Sequence, residues 1–269
     1  MSHIGRTAAP GKRALRQELL AARDRLTADD VREAGEALAR RALELPELAE
    51  ARTVAAYVSV GTEPGTLALL DALRARGVRV LLPGLLPDND LDWGAYAGEG
   101  SLARVRHGGR MALFEPAGQR LGPDAVAAAD VVLLPGLAAD GRGMRLGRGG
   151  GSYDRVLARL ERAKARPALV VLLYDREVVG HVPAEPHDRP VQAVVTPSGS
   201  GASPERRGRS LVRRRPSTRA WRAFAVAGVP RSAAHGLSTR VSLVLLSTAP
   251  AEYDQGSSSP LAHLSVWSV

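Results

Sequence analysis

The sequence predicts a three-layer α/β/α fold around a mostly parallel central sheet, and three observations carry that reading. Apolar, β-rich runs at 53–59, 78–82, 131–137, 168–174 and 191–196 look like strands of a buried sheet. Between the first two lies a helical stretch, 67–76, and strand, helix, strand at this spacing is a right-handed unit of parallel strands. The run at 131–137 passes through a glycine-rich turn into 152–166, where Val156, Leu157 and Leu160 recur at helical spacing. This is a Rossmann-like arrangement, in which ligands collect at the carboxyl ends of the strands.

The other elements fit around the sheet. Residues 12–26 read as an amphipathic helix with Leu15, Leu19, Ala22 and Leu26 in one stripe and Lys12, Arg16 and Arg23 around it. Thr27, with Asp30 three residues on, is an N-cap signature for a second helix over 28–45, stopped by Pro46. Residues 91–96 read as a further strand carrying Trp93 and Tyr96, in a chain only 4% aromatic. Such aromatics serve as core or as a wall for a flat ligand, and the sequence leaves both open for Trp93.

Composition narrows the function. At 269 residues and 45% hydrophobic, the chain can bury a real core in one domain. It has no cysteine, which excludes disulfides, thiolate zinc sites and a cysteine nucleophile. Its start lacks an apolar signal core, and no stretch approaches the ~20 apolar residues of a membrane span, so a soluble cytoplasmic protein is expected. The net charge of +9 is unevenly placed: from residue 199 on, ten arginines face only Glu205, Glu252 and Asp254, so the tail holds seven of the nine charges. A body with so little surplus charge is a poor nucleic-acid binder. The expected division is a domain over 1–198 and a basic tail over 199–269. The tail's Ser/Gly/Pro stretches and weak periodicity predict disorder. A basic arm for nucleic acid or an acidic partner, using Trp221 and Phe224, is the rival reading of that tail.

Residues 141–155, GRGMRLGRGGGSYDR, hold the strongest chemical signal. Lacking a β-carbon, Gly147, Gly149, Gly150 and Gly151 let the backbone bend sharply and aim successive N–H groups at an anion. The helix behind them adds its positive end. Arg145 and Arg148 add full charges, and a guanidinium grips phosphate through two parallel hydrogen bonds. Asp154 is a sensible Mg²⁺ ligand beside a polyphosphate. No Gly-Lys-Ser/Thr closes the loop, so it is not a Walker A loop, and the GxGxxG spacing is poorly met. A flexible glycine-arginine surface loop is the competing reading.

The longer stretch 135–157, PGLAADGRGMRLGRGGGSYDRVL, closely resembles the signature of the 5-formyltetrahydrofolate cyclo-ligase (5,10-methenyltetrahydrofolate synthetase) family, roughly PGxAFDxxGxRLGxGxGYYDxxL. Ala139 stands where a Phe is usual, and Ser152 replaces the first Tyr of the YYD triplet. Lys12-Arg13-Ala14-Leu15-Arg16 resembles the family's opening K-R-x-L-R motif, and Phe114-Glu115-Pro116 its short E/Q-P element. Residues 182–196 resemble its VPxExHDxxVDxVVT ending, with Gln192 in place of the second Asp. The resemblance thus spans residues 12 to about 196.

The resemblance implies an ATP site of Lys12, Arg16, Arg145, Leu146, Gly147, Arg148, Gly149, Gly150, Gly151, Ser152 and Tyr153. It implies a folate site of Val58, Glu63 and Tyr153, with Trp93 as a candidate wall for the pterin ring. It places Mg²⁺ on Asp154 and Asp188, and Arg148 is the choice for stabilising charge on the transferring phosphoryl group. The implied activity is ATP- and Mg²⁺-dependent cyclisation of 5-formyltetrahydrofolate to 5,10-methenyltetrahydrofolate, releasing ADP and phosphate through an imidate phosphate. A cytoplasmic monomer with no membrane partner goes with it. A nucleotide-binding regulator that keeps the loop without turnover remains a separate class.

Overall fold

The computed structural model describes residues 11–108, 111–185 and 188–202. Helices α1 (Lys12–Arg23), α2 (Ala28–Ala42) and the four-residue α3 (Pro46–Ala49) precede strand β1 (Thr53–Ala55). Helix α4 (Leu67–Ala75) leads to β2 (Arg79–Leu85), β3 (Leu91–Ala95), β4 (Leu102–His107) and β5 (Met111–Pro116). Then come β6 (Val131–Pro135), β7 (Ala138–Asp140), β8 (Arg145–Leu146), α5 (Ser152–Arg162), β9 (Ala168–Leu172), β10 (Val178–Val179), β11 (Ala193–Thr196) and β12 (Gly199–Ala202).

Seven strands form the main sheet in the order β12-β11-β9-β6-β1-β2-β3. The five central strands run parallel, and β3 and β12 close the edges antiparallel. Side chains alternate across the sheet with period two, so each strand feeds both layers. Val131 and Leu133 join a cluster with Leu38 of α2 and Leu70 of α4. Val132 and Leu134, one residue on, join Val156 and Leu160 of α5 on the other face. That is the expected α/β/α sandwich. From β1 the chain crosses to β2 on one side and later returns to β6 on the other, leaving a crevice at the carboxyl ends of β1 and β6.

Local signals explain the helix ends. The Thr27 side chain accepts from the Asp30 N–H while Asp30 accepts from the Thr27 N–H, a capping box. Helix α2 ends at Ala42, and Pro46, expected as a stop, instead starts α3, where its missing N–H costs nothing.

Two pieces were not anticipated. Strands β4 and β5 form a separate hairpin, and β10, β7 and β8 form a small second sheet. Helix α1 lies on that sheet, burying Leu15 and Leu19 in a cluster with Leu137, Ala138, Leu146 and Val182. Arg23, beside the leucine stripe of this helix, is only 1% exposed.

The main sheet also continues past the boundary expected at 198. Gly199–Ala202 pairs antiparallel with β11, from Thr196 opposite Gly199 to Ala193 opposite Ala202, after a two-residue connection. The remainder of the tail, with its expected disorder and its arginines, lies outside the described residues. Among the described residues, no helix is long and apolar enough to cross a membrane.

Candidate active site

A cavity of about 670 Å³ opens at the carboxyl ends of β1 and β6. Every site residue expected from the sequence lines it, except Trp93. Helix α1 contributes Lys12 and Arg16, the segment after β1 contributes Val58 and Glu63, and β8 contributes Arg145 and Leu146. Gly147 to Asp154 form one wall and Asp188 another.

The glycine-rich wall depends on backbone shapes that side chains disfavour. Gly149 has φ 96° and Gly151, the N-cap of α5, has φ 78°. A β-carbon there would add steric strain. With Gly151 as cap, α5 starts at the cavity and presents its unpaired N–H groups towards it. Arg16 fastens this loop from α1, its Nε donating to the Gly147 carbonyl at 2.9 Å.

Arg145 supplies charge behind the loop. Its guanidinium donates to the Pro135 carbonyl at 3.1 Å and reaches Asp154 at 3.4 Å, with the side chain only 9% exposed. Its buried Nε has no hydrogen-bond partner among the described residues, and burial pulls its pKa below the ordinary arginine value. A desolvated cation with an unspent donor favours an anion beside it. The Tyr153 hydroxyl, on the same wall, is likewise buried without a partner, and burial raises its pKa.

Across the cavity, the buried carboxylate of Glu63 accepts from the Val60 N–H at 2.9 Å and meets Arg148 Nε at 3.3 Å. Tyr57, Val58, Val60, Pro83, Leu85 and Leu113 add apolar surface to the cavity lining. A place in such a wall was one of the two readings left open for Trp93. Trp93 is instead fully buried in the core cluster of Val126, Val156 and Leu160, so the expectation of a ring platform at that position is corrected. It belongs to an edge strand whose inward face packs under α5 and the 123–128 turn, and its size suits that interior.

The two aspartates sit in different settings. Asp154 is 58% exposed and, among the described residues, pairs with Arg145 at 3.4 Å. Asp188 Oδ2 accepts from Lys12 Nζ at 2.8 Å and from the Glu185 N–H at 2.7 Å. Lys12 also meets Glu185 at 3.0 Å, and hydrogen bonds to both acids outweigh its desolvation, raising its pKa. Glu185 lines the cavity too and was given no role from sequence, although it sits inside the quoted 182–196 motif. Among the described residues no three potential metal ligands gather in one place. Two carboxylates on one cavity still fit Mg²⁺, which takes one or two such ligands and completes its octahedron with phosphate oxygens and water.

The family model described as the 5-formyltetrahydrofolate cyclo-ligase family matches residues 8–197, which contain this whole cavity. The chain belongs to that family. Membership makes it an enzyme of the cyclo-ligase type. A 5-formyltetrahydrofolate cyclo-ligase of Mycolicibacterium smegmatis is 44% identical over 153 residues, 54% of this chain and 74% of that one. The cyclo-ligase of Escherichia coli is 34% identical over 175 residues, 64% of this chain and 93% of its own length. The solved 5,10-methenyltetrahydrofolate synthetase of Aquifex aeolicus superposes with a TM-score of 0.60 at 28% identity, covering 75% of this chain and 96% of that one.

Proposed function

We propose that this cavity closes 5-formyltetrahydrofolate to 5,10-methenyltetrahydrofolate, consuming ATP and releasing ADP and phosphate. The observation that carries the proposal is one cavity with two unlike halves. One half has glycine N–H groups, a helix start and the buried Arg145; the other has apolar walls and the buried acid Glu63. The first suits a triphosphate and the second a flat ring with polar edges.

The formyl group is an amide, so its carbon is a weak electrophile and its oxygen a poor leaving group. Attack of that oxygen on the γ-phosphorus of ATP expels ADP and leaves an imidate phosphate. The side-arm nitrogen then adds to the activated carbon, the C–O bond breaks, and phosphate departs with the former formyl oxygen. Such chemistry needs alignment and charge neutralisation more than a nucleophilic side chain. The amides of Gly147 to Gly151, with Lys12, Arg16 and Arg145, hold the phosphates, Leu146 and Ser152 flank them, and Tyr153 lies between the two halves. Arg148 stabilises the transferring group. Glu63 accepts hydrogen bonds from the pterin edge, with Val58 beside it. Asp154 and Asp188 would hold Mg²⁺, which neutralises phosphate charge when bound. The enzyme works as a cytoplasmic monomer in this reading.

Purified protein given ATP, Mg²⁺ and 5-formyltetrahydrofolate should build up methenyl absorbance, and EDTA should stop it. Absence of product with both substrates would overturn the reading; equal product with EDTA would remove Asp154 and Asp188 from metal binding.

A further inference from the structure

Arg23, at the far end of α1 from Lys12, has no place in the chemistry above and does not line the cavity. It is nevertheless a buried charge with three hydrogen bonds, all to groups far away in sequence. Its Nε and Nη2 meet the two oxygens of Glu177 at 2.6 and 2.9 Å, and the same Nη2 donates to the Gly136 carbonyl at 2.7 Å. Both side chains are at most 2% exposed. The guanidinium also lies 5.6 Å from the centre of the Tyr174 ring.

Each contact leads to a different wall. Gly136 lies just past the end of β6 and lines the cavity. Glu177 accepts from the Tyr174 N–H at 2.9 Å, and the Tyr174 hydroxyl donates to the carbonyl of Thr62, the neighbour of Glu63, at 3.2 Å. Arg23 itself belongs to α1, whose Lys12 and Arg16 face the glycine loop and Asp188. One buried guanidinium therefore ties the phosphate-facing helix to the floor and to the segment holding the buried acid. Burial works against its charge, but the hydrogen bonds and charge of Glu177 raise its pKa, and the charge of Glu63, on the cavity, adds to them.

From this geometry we infer that Arg23 is a positioning residue, setting the phosphate half of the site against the pterin half. The inference rests on the proposed ring-closing reading. Each half keeps its own binding groups when Arg23 changes, so each substrate still binds, but the formyl oxygen and the γ-phosphorus no longer meet squarely. Misplacement on the order of 1 Å costs about 100-fold in such reactions. A lysine keeps the charge opposite Glu177 yet lacks the planar fork needed to reach Gly136 as well.

The test is kinetic. Arg23→Lys should lower kcat about 10- to 100-fold with both KM values changed little. Arg23→Met with Glu177→Met, which strands no buried charge, should melt near the wild type and still turn over slowly. Wild-type kcat in either variant would make the pair merely structural and overturn the inference. So would melting of both variants below the assay temperature. A wild-type protein that forms no methenyl product would instead refute the underlying reading of the site.

Discussion

Arg148 and Glu63 meet at 3.3 Å, and the arginine side chain is 47% exposed. A pair so open to water is worth only about 0–1 kcal/mol. The phosphate contact proposed for Arg148 would therefore cost little, while the buried Glu63 keeps its Val60 hydrogen bond. Arg148→Ala should reduce turnover on the order of 10²-fold without lowering the melting temperature. Near-normal turnover would move the charge-stabilising role to Arg145 or Lys12. At this scale the sequence was informative where residue type and chemistry coincide, as in the glycines and arginines of the loop. It was silent where a side chain's partner is remote. Arg23 sits on a helix that pattern alone treats as polar outside the leucine stripe, and its partner Glu177 is 154 residues away. Trp93 stood out only by rarity, which does not distinguish a core from a cavity wall.

Helix α5 is held to the opposite rim of the cavity by Arg159. Its guanidinium grips both oxygens of Asp90, at 3.0 and 2.6 Å, and reaches Asp124 at 2.8 Å. Asp90 sits between Asn89 and Leu91, both lining the cavity. The Arg159 hydrogen bonds hold the Asp90 carboxyl below its ordinary pKa, against the opposing effect of burial. A lowered folded pKa gives stability that is complete above the unfolded value of about 3.9 and is lost as pH falls through the folded value. Asp90→Asn should thus cost about 2 kcal/mol at pH 7 in urea unfolding, the deficit shrinking below about pH 4. An equal deficit at pH 7 and pH 3 would rule out this charge pair as its source. Among whole elements, the parallel strands and α5 were legible because apolar runs and helical periodicity are local. The β4–β5 hairpin and the β7–β8–β10 sheet were not, since strands of two or three residues leave no period to read and β4 buries no residue fully.

At the scale of the molecule, the strand order explains why one cavity exists at all. Crossovers to either side of β1 open the crevice, α1 on the small sheet closes one flank, and the start of α5 supplies another. The sandwich was predictable from spacing. The extra edge strand β12 was not, because Gly199 to Ala202 are too small to register as an apolar run. In the proposed reaction this crevice brings a formyl oxygen onto the γ-phosphorus of ATP. That step is tested most directly by 5-formyltetrahydrofolate carrying ¹⁸O in the formyl group, with the released phosphate read by mass spectrometry. One labelled oxygen in each phosphate is the predicted result, because that oxygen leaves bound to phosphorus. Unlabelled phosphate, with the label in water, would contradict the account.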